Sequence, residues 1–148
     1  VYQDAALLRQ AIKYADDRGV IMVAAAGNDG YNRMPFPAAY PQVLAVTAVD
    51  AGGQHALFSN QSKEIDFAAP GVGILTAKED RGTTLFSGTS AAAPFVSATL
   101  ASLISGDDAL PPKQAVEALK RYLNDQGPAS ADPFYGAGLV DWVFHLQL

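Results

Sequence analysis

The chain is 148 residues long, 49% hydrophobic and 17% charged, against about 25% charged in an average globular domain, a balance that excludes disorder and fits one packed domain or part of one. Its 10 basic and 15 acidic residues leave a net charge of -5, which gives nucleic acid no basic footprint, and the lack of cysteine excludes a disulfide framework, a thiol nucleophile and a cysteine zinc site while leaving the compartment open. No apolar run reaches the ~18 residues of a membrane span, so neither nucleic acid nor membrane is expected as a partner, and the start Val1-Tyr2-Gln3-Asp4, without initiator Met or leader, reads as a processed or truncated piece.

Asp4 is placed to cap a helix whose Leu8, Ala11, Ile12 and Ala15 follow the i, i+3, i+4, i+7 spacing, with Gly19 as its left-handed stop. Val20 to Ala26 is a continuous apolar run, the pattern of a strand buried on both faces of a parallel sheet. Asn28 to Pro41, rich in Gly, Pro and Asn, is loop, and Val43 to Val49 is a second buried strand closed by a turn at Gly52-Gly53. Ile65 to Ala68, Ile74-Leu75 and Thr83 to Phe86 read as short strands parted by Pro70-Gly71, Gly73 and Arg81-Gly82. Ser90 to Ile104 is small and apolar and reads as a helix. Pro94 is tolerated in it only within the first turn, which puts Ser90 at or just before the helix N-terminus. A last amphipathic helix is expected from Pro112 to Asp125, with Val116, Leu119 and Leu123 on one face, a Glu117 to Arg121 pair outside and Gly127 as its stop. Buried strands with intervening helices, and no internal repeat or linker, define an α/β layered fold.

Two stretches carry chemistry. Gly88-Thr89-Ser90-Ala91-Ala92-Ala93-Pro94 sets a hydroxyl at the mouth of a buried helix, where backbone N–H groups and the dipole favour negative charge. An ordinary serine cap explains the same heptapeptide. Ala24-Ala25-Ala26-Gly27-Asn28-Asp29-Gly30 ends a buried strand with an amide that can aim its NH2 at a developing oxyanion, and a plain Asn-Asp-Gly turn is the alternative.

Together these stretches resemble the subtilisin-like serine proteases. Tyr40-Pro41 followed by Val43 to Asp50, Phe58-Ser59-Asn60, Asp66-Phe67-Ala68-Ala69-Pro70-Gly71 and Tyr135-Gly136-Ala137-Gly138-Leu139-Val140-Asp141 extend the resemblance in the family's order over nearly the whole chain. It implies a three-layer αβα fold with a mainly parallel sheet, of which residues 1–148 form the C-terminal part, the Asp- and His-bearing N-terminal part being absent. It further implies that Ser90 is the acylated nucleophile and that Asn28 and the Ser90 backbone N–H form the oxyanion hole. Ala25, Ala26 and Gly27 would line the substrate pocket beside a cis turn at Phe36-Pro37, a geometry that proline makes accessible. Carbonyls around Ala38 and Tyr40 correspond to a weak structural calcium site in some relatives; no cofactor is required, and no metal enters the chemistry. The family favours secretion or the cell envelope.

The chain departs from that pattern in several places. Ala91 stands where the family has Met, Phe95-Val96-Ser97-Ala98 where it has His-Val-Ala-Gly, and Pro35 where a glycine is usual at the pocket floor, and the loop after Asn28 is short. The largest departure concerns the triad, whose Asp and His precede the oxyanion Asn in the family: only 27 residues precede Asn28 here, with no His among them. His55, in a turn, and His145, near Trp142, read as solvated or half-packed bystanders, and Asp4, Asp16 and Asp17 as cap or exposed face of the first helix. Asn60-Gln61-Ser62 matches a glycosylation sequon that the family pattern explains better. The sequence holds no phosphate-binding glycine loop, no His-Glu-x-x-His and no Gly-x-Ser-x-Gly elbow.

The expected function is a serine endopeptidase that hydrolyses peptide bonds through an acyl-enzyme on Ser90, its Asp and His supplied by the missing part, so that this chain alone is inactive. The partners are then a peptide or protein substrate and either the missing N-terminal half or a self-paired copy. The rival is a noncatalytic pseudoprotease or interaction module that retains the fold.

Overall fold

The structure, a computed structural model, describes residues 1–79, 81–105 and 109–140. Along them run α1 (Ala6–Asp16), β1 (Met22–Ala25), β2 (Val43–Val49), β3 (Ile65–Pro70), β4 (Ile74–Ala77), β5 (Thr83–Phe86), α2 (Thr89–Ser105) and α3 (Pro112–Lys120). β1, β2 and β3 form a parallel sheet in that order, and β4 and β5 pair as a separate antiparallel hairpin. The β2–β3 register shifts between Ala45 and Val46, where the Ala45 N–H donates to the Asp66 carboxylate at 2.8 Å. Burial raises the Asp66 carboxyl above its ordinary value, with the Ala45 N–H and Lys120 acting the other way.

Because successive strand side chains face opposite ways, the central strand β2 serves two layers. Val46 and Ala48 join Phe67, Ala69, Ala92, Val96, Leu100 and Leu119 in the main core, under α2 and α3. Ala45 faces Ala26, Met34, Ala38 and Ile65, while Val49 packs with Ala68, Tyr135 and Leu139. Helices thus cover one face, and the loop holding Met34 to Tyr40 together with the Tyr135–Leu139 segment covers the other. α2 buries Thr89, Ala92, Val96, Thr99 and Leu100, and that periodic face fixes the rotation of the helix and presents Ser90 outward.

Several elements differ from the sequence reading. Ala5, not Asp4, caps α1, and no side chain bonds there; the Asp4 carboxylate pairs instead with Arg9 and accepts the Tyr40 hydroxyl at 2.6 Å. Gly19, by contrast, is the left-handed stop the sequence calls for: at φ 74° it lets the Val20 N–H reach the Ala15 carbonyl at 3.1 Å and its own N–H the Asp16 carbonyl at 2.8 Å. β1 is shorter than the Val20–Ala26 run and half-buried, since among the described residues β2 flanks it on one side only. Pro94 lies in the second turn of α2 and offers the Ser90 carbonyl no N–H; packed turns on either side, Ala92 and Val96, carry the helix through. α3 ends at Lys120 rather than Asp125 because the chain turns there, so that Asn124 and Leu139 exchange backbone hydrogen bonds. Glu117 is held by Lys120 at 3.0 Å. Asp141, Trp142 and His145 lie outside the described residues.

Candidate active site

β1 delivers Asn28 and the N-terminus of α2 delivers Ser90, both exposed. Thr89, fully buried between them, joins the two elements. Its backbone N–H and its hydroxyl donate to Asn28 Oδ1 at 2.8 and 2.9 Å, and its Oγ1 accepts the Gly27 N–H at 3.1 Å. A backbone N–H can only donate, so the Asn28 atom facing it is the oxygen and Nδ2 is left on the far side, beside Gly88. The Ala91 N–H bonds back to the Gly88 carbonyl. The Ser90 N–H lies in the first helical turn, where backbone donors have no carbonyl of their own helix to meet. Asn28 Nδ2 thus lies beside Gly88, two residues before Ser90, whose own N–H is in the first turn of α2.

The approach of α2 is fixed by close backbone packing. The Gly88 N–H donates to the Gly71 carbonyl at 2.8 Å. A Cβ on Gly71 would lie 2.5 Å from the Ala48 Cβ and 2.9 Å from the Gly88 carbonyl. Glycine at the end of β3 is therefore what lets the serine-bearing segment sit against the sheet.

Of the expected pocket residues, Ala25 and Gly27 are half-buried and Ala26 fully buried. Ala25 and Ser90 share one open groove with Ala93, Pro94 and Ser97, whereas Ala26 is wholly buried and Gly27 half-buried against Pro35. The Phe36–Pro37 peptide is cis. At the expected calcium position, the Tyr40 carbonyl already accepts the Val43 N–H. Two carbonyls are hard oxygen donors but fall short of the about six to eight that calcium takes, so Ala38 and Tyr40 alone do not hold the ion. Among the described residues no cluster of three or more His, Asp or Glu could hold a metal.

His55 is engaged elsewhere. Its Nε2 lies 3.1 Å from Thr47 Oγ1, its backbone N–H donates to the Tyr135 hydroxyl, and its ring meets Phe134 and Tyr135 edge-on. Burial lowers its pKa below the ordinary histidine value, and the Asp132 charge opposes that shift. Asn60, singled out in the sequence only as part of a resemblance and a sequon, is fully buried and bonded into the loop after β1. Neither its role nor that of Thr89 follows from residue type; their signal is position within the quoted motifs.

A three-layer fold with a parallel sheet, a serine opening a buried helix and an amide closing the neighbouring strand define a subtilisin-like architecture. The model of the subtilase family matches residues 2–138, and the chain belongs to that family. It is 36% identical over 140 residues to the minor extracellular protease Epr of Bacillus subtilis (strain 168), covering 94% of this chain and 22% of that protein. It is 34% identical over 138 residues to subtilisin DY of Bacillus licheniformis, covering 90% of this chain and 49% of the relative. The major intracellular serine protease of Bacillus subtilis (strain 168) is 41% identical over 106 residues, 68% of this chain and 33% of that one. Among solved structures, the prenylagaramide maturation protease PagA superposes with a TM-score of 0.85 at 32% identity, over 98% of this chain and 56% of that one. A lanthipeptide protease gives 0.81 at 27%, over 90% and 52%. The chain thus spans half or less of the length of these curated relatives.

Proposed function

We propose that the chain is the C-terminal part of a subtilisin-like serine endopeptidase domain, in which Ser90 is the nucleophile and Asn28 and the Ser90 N–H stabilise the oxyanion. The observation that carries this reading is the double anchoring of Asn28 Oδ1 by Thr89, which turns Nδ2 away from Thr89 and sets it near the start of α2. Ser90 Oγ attacks the peptide carbonyl, and its proton passes to a histidine supplied from outside this chain. The carbonyl electrons move onto the oxygen, which takes the hydrogen bonds of Asn28 Nδ2 and the Ser90 N–H. Collapse breaks the C–N bond as the histidine protonates the leaving amine, and water then cleaves the Ser90 ester by the same route in reverse.

Ala25 and Gly27 would wall the pocket for the residue before the scissile bond, with the buried Ala26 behind them. The substrate is a peptide or protein, and a second partner is the Asp- and His-bearing half or, failing that, a paired copy. The share of each relative's length that the chain covers supports this division. The reaction needs no cofactor, and a calcium ion near Ala38 and Tyr40 would need oxygen ligands beyond those two carbonyls and would serve the fold alone. Secretion or the cell envelope is proposed on the name of the extracellular relative; among the described residues no helix is long and apolar enough to cross a membrane.

The test uses the complete polypeptide joined to its His- and Asp-bearing part. A fluorophosphonate should label it at Ser90, and Ser90→Ala should abolish both labelling and peptide cleavage. A complete protein that neither labels nor cleaves is instead a noncatalytic module of the same fold.

A further inference from the structure

The side chain of Asn60 is 0% exposed and makes four hydrogen bonds, the full capacity of an amide. Its Nδ2 donates to the Ala26 carbonyl and to the Tyr2 hydroxyl, each at 2.9 Å. Its Oδ1 accepts the N–H groups of Asp29 at 3.1 Å and Tyr31 at 3.0 Å. Its own backbone N–H donates to the Gly27 carbonyl at 3.0 Å. The residues immediately before and after Asn28 are therefore both bonded to Asn60, while Asn28 itself is not. Gly27 (φ 100°) leaves the room this requires, since a Cβ there would overlap Asn60 Nδ2. Tyr2 closes the circuit by donating its hydroxyl to Asp29 Oδ2 at 2.6 Å.

We propose that Asn60, braced by Tyr2, is a positioning residue for the oxyanion amide: it fixes the backbone on both sides of Asn28 before substrate arrives. This inference rests on the reading of Asn28 as an oxyanion donor. Two independent restraints then act on one residue, Thr89 on its side chain and Asn60 on its backbone. Donors aimed at a developing charge act only if held within about 0.5 Å of the productive geometry, and a 1 Å misplacement costs about 10² in rate. Without Asn60 the Asp29 and Tyr31 N–H groups and the Ala26 carbonyl would have to find new partners, and the loop would move to reach them.

The experiment compares Asn60→Ser, Tyr2→Phe, Asn28→Ala and the Asn28/Asn60 double variant in the complete protein, with rates normalised to active sites titrated by fluorophosphonate. Asn60→Ser should lower kcat about 10- to 100-fold with KM changed less than about threefold, and weaken a peptide boronic acid by the same factor as kcat. In the Asn28→Ala background the Asn60 change should cost little further turnover, which marks action through Asn28. If Asn60→Ser does not fold, Tyr2→Phe, which removes one hydroxyl, decides: faster amide exchange at Asp29 and Tyr31 with a several-fold loss of kcat supports the proposal. Unchanged kcat per titrated site in either folded variant, with only the melting temperature lowered, overturns it. If the parent does not cleave, or Asn28→Ala leaves kcat intact, the reading of the site fails and takes this inference with it. A loss on Asn28→Ala alone sinks the positioning role and leaves the site standing.

Discussion

Thr89 grips the Asn28 carbonyl oxygen twice, through its backbone N–H at 2.8 Å and its hydroxyl at 2.9 Å. The backbone bond survives substitution by any residue but proline, whereas the hydroxyl bond is lost with the hydroxyl, which is also the acceptor of the Gly27 N–H. Thr89→Val keeps the shape and deletes both. A hydrogen bond of this kind contributes about 1 to 2 kcal/mol, so kcat of the complete enzyme should fall roughly five- to thirty-fold at nearly constant KM. Thr89→Ser should retain most of the rate, and steady-state kinetics on the pair checks the assignment.

Much of this was legible in the residues. The non-alternating Val43 to Val49 run marked a strand packed on both faces, and the strand is buried at every position but Leu44. Val20 to Ala26 reads the same way yet is half-buried, because periodicity reports what a strand can bury and not which neighbours flank it. The placement of Ser90 at a helix start and of Asn28 just past a strand end was legible, and the structure puts them there. Thr89 and Asn60 were legible only by their places in the quoted motifs, since their hydrogen bonds join segments tens of residues apart and residue type does not reveal them. Asp4 shows the converse: a good capping residue was drawn off by a tertiary partner, Tyr40.

Gly27→Ala should destabilise the fold. Its φ of 100° is a conformation that L side chains rarely adopt, and the added methyl would meet Asn60 Nδ2 and Pro35. A loss of about 1 to 3 kcal/mol is expected, read as a lower midpoint in urea. Gly19→Ala, with nothing within 4 Å of the added Cβ, carries only the backbone term and should cost less.

The 148-residue chain by itself should not cleave peptides at an enzymatic rate. His55 is bonded to Thr47 and packed on two aromatic rings, and the fall of about 10⁶ in kcat when subtilisin loses its His sets the scale of the deficit. Fluorophosphonate labelling of the chain should be slow and unaffected by His55→Gln. Adding the complementary half should restore both labelling and turnover; rapid labelling lost on His55→Gln would show that the chain carries its own base.

The outer strand predicts association. Among the described residues β1 has β2 on one side only, and Val20 beside it is 51% exposed. A free parallel edge is a template for another strand. The isolated chain should sediment as a dimer or larger species, and amides of Met22–Ala25 should gain exchange protection when the other half is added. A monomer with those amides already protected argues against an open edge.

Two half-buried groups give stability opposite pH slopes. The folded pKa of His55 lies below its unfolded value, so the unfolded chain binds more protons and stability falls as pH drops through about 6.5 and below. The folded pKa of Asp66 lies above its unfolded value, so the folded chain binds more protons and stability falls as pH rises above about 3.9. Denaturant titrations between pH 4 and 8 should show His55→Gln flattening the acid side near neutrality, and Asp66→Asn, which can still accept the Ala45 N–H, removing the loss above the carboxylate range.

The saturated amide of Asn60 also bears on how the protein can be made. Asn60-Gln61-Ser62 is a legitimate acceptor for an oligosaccharide, and the transfer replaces one hydrogen of the very NH2 that donates to Ala26 and Tyr2. A bulky sugar tree cannot be accommodated where the side chain is 0% exposed. In a eukaryotic secretory host, sugar attachment to the emerging polypeptide would compete with folding, and every molecule so marked would be barred from the native state.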